Sequence, residues 1–186
     1  MSSLNLSKLC ADDHLINPTD NTTLNLQSPA LQILNDFKRY KPQIIEWRTS
    51  AVDAQNHLRF SHLSYCIVVD EQNECIGIVD QCLISGERII QEVSKGIQRQ
   101  DILVSDLMIR REELFAFNYS ELAKSQVVDV LETLNCQGLE YSLVVDEFNH
   151  EIRGVFSAKE IAELLEMELE SKSRPSFAEI FSVIHP

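Results

Sequence analysis

YCIVVDEQNECIGIV at Tyr65–Val79 and YSLVVDEFNHEIRGVF at Tyr141–Phe156 are nearly the same phrase written twice. Each opens on a tyrosine, runs through paired valines into Asp-Glu, passes an asparagine and closes on an apolar run holding one glycine. β-Branched runs on either side of an Asp/Asn turn predict a hairpin. Working outward, an offset of 76 positions (Tyr65 against Tyr141) gives a gapless match of Thr49–Cys75 with Ser125–Glu151. Asp53, Leu58 and Leu63 fall on Asp129, Leu134 and Leu139. One extra residue, placed at Arg153, then brings Gly77 onto Gly154. Upstream, Asp36-Phe37 resembles Asp106-Leu107, the second copy being the longer before its helix. So detailed a match is an internal duplication, and it sets the architecture.

The flanks extend each copy in the same way. Pro42–Trp47 (PQIIEW) and Glu113–Asn118 (ELFAFN) fit short strands. Thr49 or Ser50, and Ser125, are placed to cap a helix, and Val127, Leu131 and Leu134 form one buried stripe on the second of these helices. A further helix starts near Asp80 in the first copy and Ser157 in the second. The expected fold is α+β, two tandem β-α-β-β-α units. One such unit leaves an apolar sheet face uncovered and is marginal alone. Two related units cover each other about a pseudo-twofold axis, leaving a cleft lined by both copies. The expected divisions are a flexible arm over 1–27, a first unit with connector over 28–95, a second unit over 96–170 and a tail over 171–186. Ile161, Leu164, Leu165 and Leu169 form a closing apolar stripe, with Glu163, Glu166 and Glu170 on a solvated face.

Composition bounds the function. The 186 residues carry 29 Asp and Glu against 16 Lys and Arg, a net charge of −13 that disfavours general nucleic-acid binding. No run approaches the ~20 apolar residues that span a bilayer. The opening MSSLNLSKLCADD lacks the basic and apolar regions of a secretory signal, so a cytoplasmic location is expected. Cys10, Cys66, Cys75, Cys82 and Cys136 contain no CxxC pair and read as reduced packing thiols. No metal is expected: a zinc site at Cys66 and Cys75 would need two more ligands, and His57 and His62, five apart, diverge on a helix. No GxSxG elbow, HExxH pair or Walker loop is present, so a catalyst is not expected.

The duplicated order, the Y-x-[IL]-VVDE-x-N phrase, DLM at Asp106–Met108 and GVFSAKEI at Gly154–Ile161 together resemble the tandem CBS domain family, also called Bateman modules. The resemblance covers most of the chain from Pro29 to Leu169. SPALQILNDF, GER and the C-terminal FAEI further suggest its small stand-alone bacterial members. It implies a regulatory module that binds an adenine nucleotide (AMP, ADP or ATP) or another adenosyl compound between the copies, pairs into a homodimer and acts on a regulated protein partner. The alternative it leaves is a dimeric interaction module with a vestigial, ligand-free cleft. In the family's G-h-h-[ST]-x-x-D signature the hydroxyl meets phosphate and the carboxylate meets ribose. Carried over by position, Ser157 takes the hydroxyl place and Glu160 replaces the aspartate. Met108 and Ile109 match the first strand, and Arg110 and Arg111 stand close enough to Met108 in sequence to reach a phosphate. Tyr141 and Ser142 match the middle strand, and Phe156 precedes the hydroxyl. In the first copy Asp80 and Leu83 occupy the two signature places, a half-site that offers ribose nothing. Ser157-x-x-Glu160 is equally an ordinary capping box, and Tyr65 and Tyr141 read as structural residues whose hydroxyls reach a polar partner.

Overall fold

A computed structural model describes residues 24–61, 63–135 and 139–165. In chain order its first half holds β1 (Asn35–Asp36), β2 (Ile44–Glu46), α1 (Ala51–Phe60), β3 (Tyr65–Val69), β4 (Cys75–Asp80) and α2 (Gln81–Ser85). The connector supplies α3 (Glu87–Ser94) and α4 (Val104–Leu107). The second half holds β5 (Ile109–Arg110), β6 (Ala116–Asn118), α5 (Tyr119–Leu122), α6 (Val127–Asn135), β7 (Tyr141–Asp146), β8 (Glu151–Ser157) and α7 (Ala158–Leu164).

Both repeated phrases are antiparallel hairpins, β3–β4 and β7–β8. In the first, the Asp70 carboxylate accepts from the backbone N–H groups of Gln72 and Glu74, both at 2.9 Å, and Asn73 takes the left-handed conformation at φ 67°. In the second, Asp146 accepts from the Phe148 N–H, and the left-handed residue is His150 at φ 55°. Each hairpin carries the same bulge: Val69 pairs with Cys75 and Val68 with Gly77, while Val145 pairs with Ile152 and Val144 with Gly154. Arg153 is therefore the counterpart of Ile76. The extra residue of the second copy lies in the turn, not at Arg153 as the sequence match had it.

The strands form two four-stranded sheets, β2-β3-β4-β5 and β1-β8-β7-β6. β2 runs parallel to β3 and β6 parallel to β7, as the β-α-β order requires. The edge strands are exchanged. β1 precedes the first unit yet pairs with β8 of the second, and β5 precedes the second unit yet pairs with β4 of the first. Glycine permits both pairings: a β-carbon at Gly77 would strike the Ile109 carbonyl and Met108 Sδ, and one at Gly154 would strike the Asn35 carbonyl and Leu34 Cδ1. Asp36 pairs with Gly154 and Arg110 with Gly77, so Asp36 corresponds to Arg110 and not to Asp106.

Alternation along β3 serves two cores. Cys66 and Val68 face α1, α2 and the connector, whereas Tyr65, Ile67 and Val69 face the other sheet, where Tyr141, Leu143 and Val155 meet them. The two repeated tyrosines touch across the pseudo-twofold axis, edge to face with ring centroids 5.5 Å apart. A third core lies behind the second sheet, where Val127, Leu131 and Leu134 are buried as their spacing predicts. Cys66 and Cys75 are buried free thiols, and burial pushes Cys66 up to about 11.

The caps fall mostly where expected. Ser50 accepts from the Asp53 N–H at α1, Asp80 from Leu83 at α2 and Ser157 from Glu160 at α7. Ser125 does not cap α6; its hydroxyl donates to the Glu121 carbonyl. The first amides of α6 are met instead by an adjacent segment, Val127 donating to Ser28 O and Val128 to Leu26 O. Leu24 and Leu26 pack on the same core, so the end of the expected arm is docked. Leu164 is 47% exposed, outside the stripe assigned to it. Residues 1–23, Leu169 and the 171–186 tail lie outside the described residues.

Candidate functional site

Glu160 sits in the first turn of α7, held there by the Ser157 cap. The register of β1 on β8 sets Asn35 against Val155, which brings its side chain to the same end of the sheet. Asn35 donates to the Tyr65 hydroxyl at 2.9 Å, and its amide lies beside the Glu160 carboxylate. Three polar groups thus converge from three parts of the chain: the lead-in strand, the first unit and the second unit. They form one side of a cleft of about 370 Å³. Phe37, Leu63 and Tyr40 supply its apolar and aromatic walls, and Lys41 its cation. A cavity of this volume, largely apolar with a few convergent polar groups, is suited to a small organic ligand.

The electrostatics of the cleft favour an acceptor that is costly to leave uncovered. Burial raises the Glu160 carboxyl above the usual glutamate range, repulsion from Glu163 adds to this, and the Asn35 amide and Lys159 only partly offset it. Burial and the Glu160 charge hold the Tyr65 phenol protonated. A ligand hydroxyl would satisfy this carboxylate without adding charge.

The pseudo-symmetric place in the first copy is occupied by the protein itself. One Asp80 oxygen accepts from the Leu83 N–H and the other from the Tyr141 hydroxyl, both at 2.8 Å. Leu83 is buried. Ile109 stands where the other site has Asn35. Here the expected alignment needs correction. Ile109 and Arg110 pair with Ile78 and Gly77 on the first unit's sheet, with Met108 just before them, and not beside Glu160; Tyr141 pairs with Ser157 across β7–β8 but turns its hydroxyl onto Asp80. The cause is the strand exchange: residues that lead into the second unit complete the first unit's sheet.

The remaining expected residues divide as follows. Met108 is buried in the first core, Arg110 is exposed, and Arg111 donates to the Cys75 carbonyl at 3.1 Å beside a second groove of about 530 Å³. Ser142 donates to the Phe115 carbonyl. Phe156 is fully buried behind the second sheet, edge-on to Phe117. Ser157 is 2% exposed and engaged as a cap. Asn35, Phe37, Tyr40 and Lys41 were missed. A readable sign existed: Lys38-Arg39-Tyr40-Lys41 places three cations in four residues of a chain with net charge −13. Among the described residues, no cluster of three His, Cys, Asp or Glu side chains could hold a metal, and no helix is long and apolar enough to cross a membrane.

Two β-α-β-β-α units meeting sheet to sheet about a pseudo-twofold axis make the tandem CBS domain fold. Solved structures bear this out. A protein from Pyrococcus horikoshii described as uncharacterized and conserved superimposes with a TM-score of 0.56 at 18% identity, covering 80% of this chain and 99% of its own. CBSX2 in complex with AMP gives 0.52 at 17% identity, covering 73% and 94%. A CBS domain pair in complex with 5′-methylthioadenosine and S-adenosyl-L-methionine gives 0.52 at 16%, covering 75% and 96%. No family model and no curated protein sequence matches the chain.

Proposed function

We propose that the chain is a regulatory module that binds one adenosyl compound in the Glu160 cleft and passes the bound state to a partner protein. The observation that carries this reading is the convergence of Glu160, Asn35 and Tyr65 on a cleft of ligand size. Glu160 would accept from the ribose hydroxyls, and the Phe37, Leu63 and Tyr40 walls suit a purine ring. Likeness to CBS pairs solved with AMP and with S-adenosyl-L-methionine supports the ligand class. The first half-site stays closed, because Tyr141 and the Leu83 amide already fill Asp80. In this reading the module regulates a partner and does not itself catalyse.

The module also pairs into a homodimer. Ile90, Val93 and Ile97 leave an apolar stripe exposed on α3 and just beyond it, the kind of face that a twofold partner covers.

Thermal unfolding with added AMP, ATP or S-adenosyl-L-methionine tests the proposal. Saturation at 100 times the dissociation constant adds about 2.7 kcal/mol, roughly 5–10 °C for a chain of this size. The rise should vanish in Glu160→Ala. If no adenosyl compound moves the transition, the cleft is vestigial and the dimeric interaction module is the correct reading.

A further inference from the structure

The Glu160 cleft and the second groove are separate cavities with one shared wall, since Phe37 and Pro42 line both. That wall is the Phe37–Gln43 loop, and it holds the densest run of cations in the sequence. The loop divides them: Lys41 lines the cleft, and Lys38 lines the groove. Lys38 stands 3.9 Å from Glu151. Among the described residues, no ion pair within 4.0 Å links Lys41 to Glu160 or to any other carboxylate. The cleft therefore carries one anion and one cation that do not neutralise each other.

This arrangement polarises any ligand. A phosphate near Glu160 would meet a carboxylate in a poorly solvated place, and Glu163 adds a second negative charge next to it. A phosphate near Lys41 gains a charge-assisted hydrogen bond. A nucleoside whose sugar hydroxyls face Glu160 and whose phosphate faces Lys41 satisfies both ends. An uncharged nucleoside leaves Lys41 unused, and a sulfonium compound would place positive charge against it.

Resting on the adenosyl reading above, we propose that the Phe37–Gln43 loop makes this cleft selective for phosphorylated adenosyl ligands, with Lys41 as the phosphate-binding residue. The contact falls neither to Ser157, which is buried and does not line the cleft, nor to Arg110 and Arg111, which stand beside the first unit's sheet.

The test compares dissociation constants of the full chain for adenosine, AMP and S-adenosyl-L-methionine at fixed ionic strength. AMP should bind at least about tenfold more tightly than adenosine, as one charged hydrogen bond allows. Lys41→Met should erase that ratio, the loss falling on AMP. Lys41 is exposed, so the substitution leaves the core intact. Lys124→Met, the same charge change at an exposed residue that lines neither cavity, should preserve the ratio. Equal affinity for adenosine and AMP, tighter S-adenosyl-L-methionine binding, or an AMP preference that survives Lys41→Met would overturn the proposal while leaving the adenosyl reading intact. Binding of none of the three would overturn both.

Discussion

Asp36 and Arg153 stand 117 positions apart, yet form a two-pronged ion pair at 2.7 and 2.9 Å, with Arg153 also stacked 4.3 Å over the Tyr119 ring. The pair pins β1, and so Asn35, to the second sheet. It holds the Asp36 carboxyl below its usual range, the Arg153 hydrogen bond being the main cause. Glu160, hydrogen-bonded by the neighbouring Asn35, is shifted the opposite way by burial. The signs give opposite pH behaviour. A depressed carboxylate contributes stability that is present above its unfolded value and lost as pH falls through the folded one. A raised carboxylate costs stability at neutral pH, a cost that disappears on acidification below its unfolded value. Denaturant melts should therefore show Asp36→Asn less stable than the parent at pH 7, with the gap closing in acid. Glu160→Gln should be more stable than the parent at pH 7, the difference closing as pH falls below the ordinary glutamate value of ~4.3. A Glu160→Gln variant destabilised at pH 7 would contradict the burial argument.

At the scale of elements, the hairpins were legible and the edges were not. Tyr65–Val79 and Tyr141–Phe156 carry alternation, β-branched residues and turn chemistry in one short window, so local rules suffice. β1 and β5 have two residues each, too few to show a period, and their partners lie more than a hundred residues away in one case. Only the glycines hinted at them, because Gly77 and Gly154 keep their places through the repeat. The site followed the same division. Glu160 was readable from the resemblance of Gly154–Ile161 to the family signature, but its neighbours come from a strand whose pairing no local pattern reveals, and sequence proximity pointed to Met108 instead. A direct check is Gly154→Ala. The added β-carbon meets the Asn35 backbone and Leu34, so β1 must shift. We expect a loss of about 1–3 kcal/mol by chemical denaturation, together with weaker ligand response because Asn35 moves. Unchanged stability would show that β1 is not held at that register.

For the whole molecule, duplication explains both the symmetry and its breaking. Two sheets share one apolar interface, in which Tyr65 and Tyr141 touch. Their hydroxyls then diverge, one toward Asn35 in an open cleft and the other onto Asp80 in a filled one. Pairing of two such modules would cover the α3 stripe. Sedimentation should show a dimer at tens of micromolar (well above a ~1 μM dissociation constant), and Val93→Glu should yield a folded monomer. A parent protein that is monomeric under those conditions removes the homodimer from the account.

The central claim is one asymmetric adenosyl site per chain, built by both copies around Glu160. Calorimetric titration of AMP into the full chain tests it most directly, run in parallel on Glu160→Ala, Asn35→Ala and Leu83→Ala. The account predicts one site per chain, lost in Glu160→Ala, weakened in Asn35→Ala and retained in Leu83→Ala. Two equal sites per chain, or an isotherm unaffected by Glu160→Ala, would contradict it.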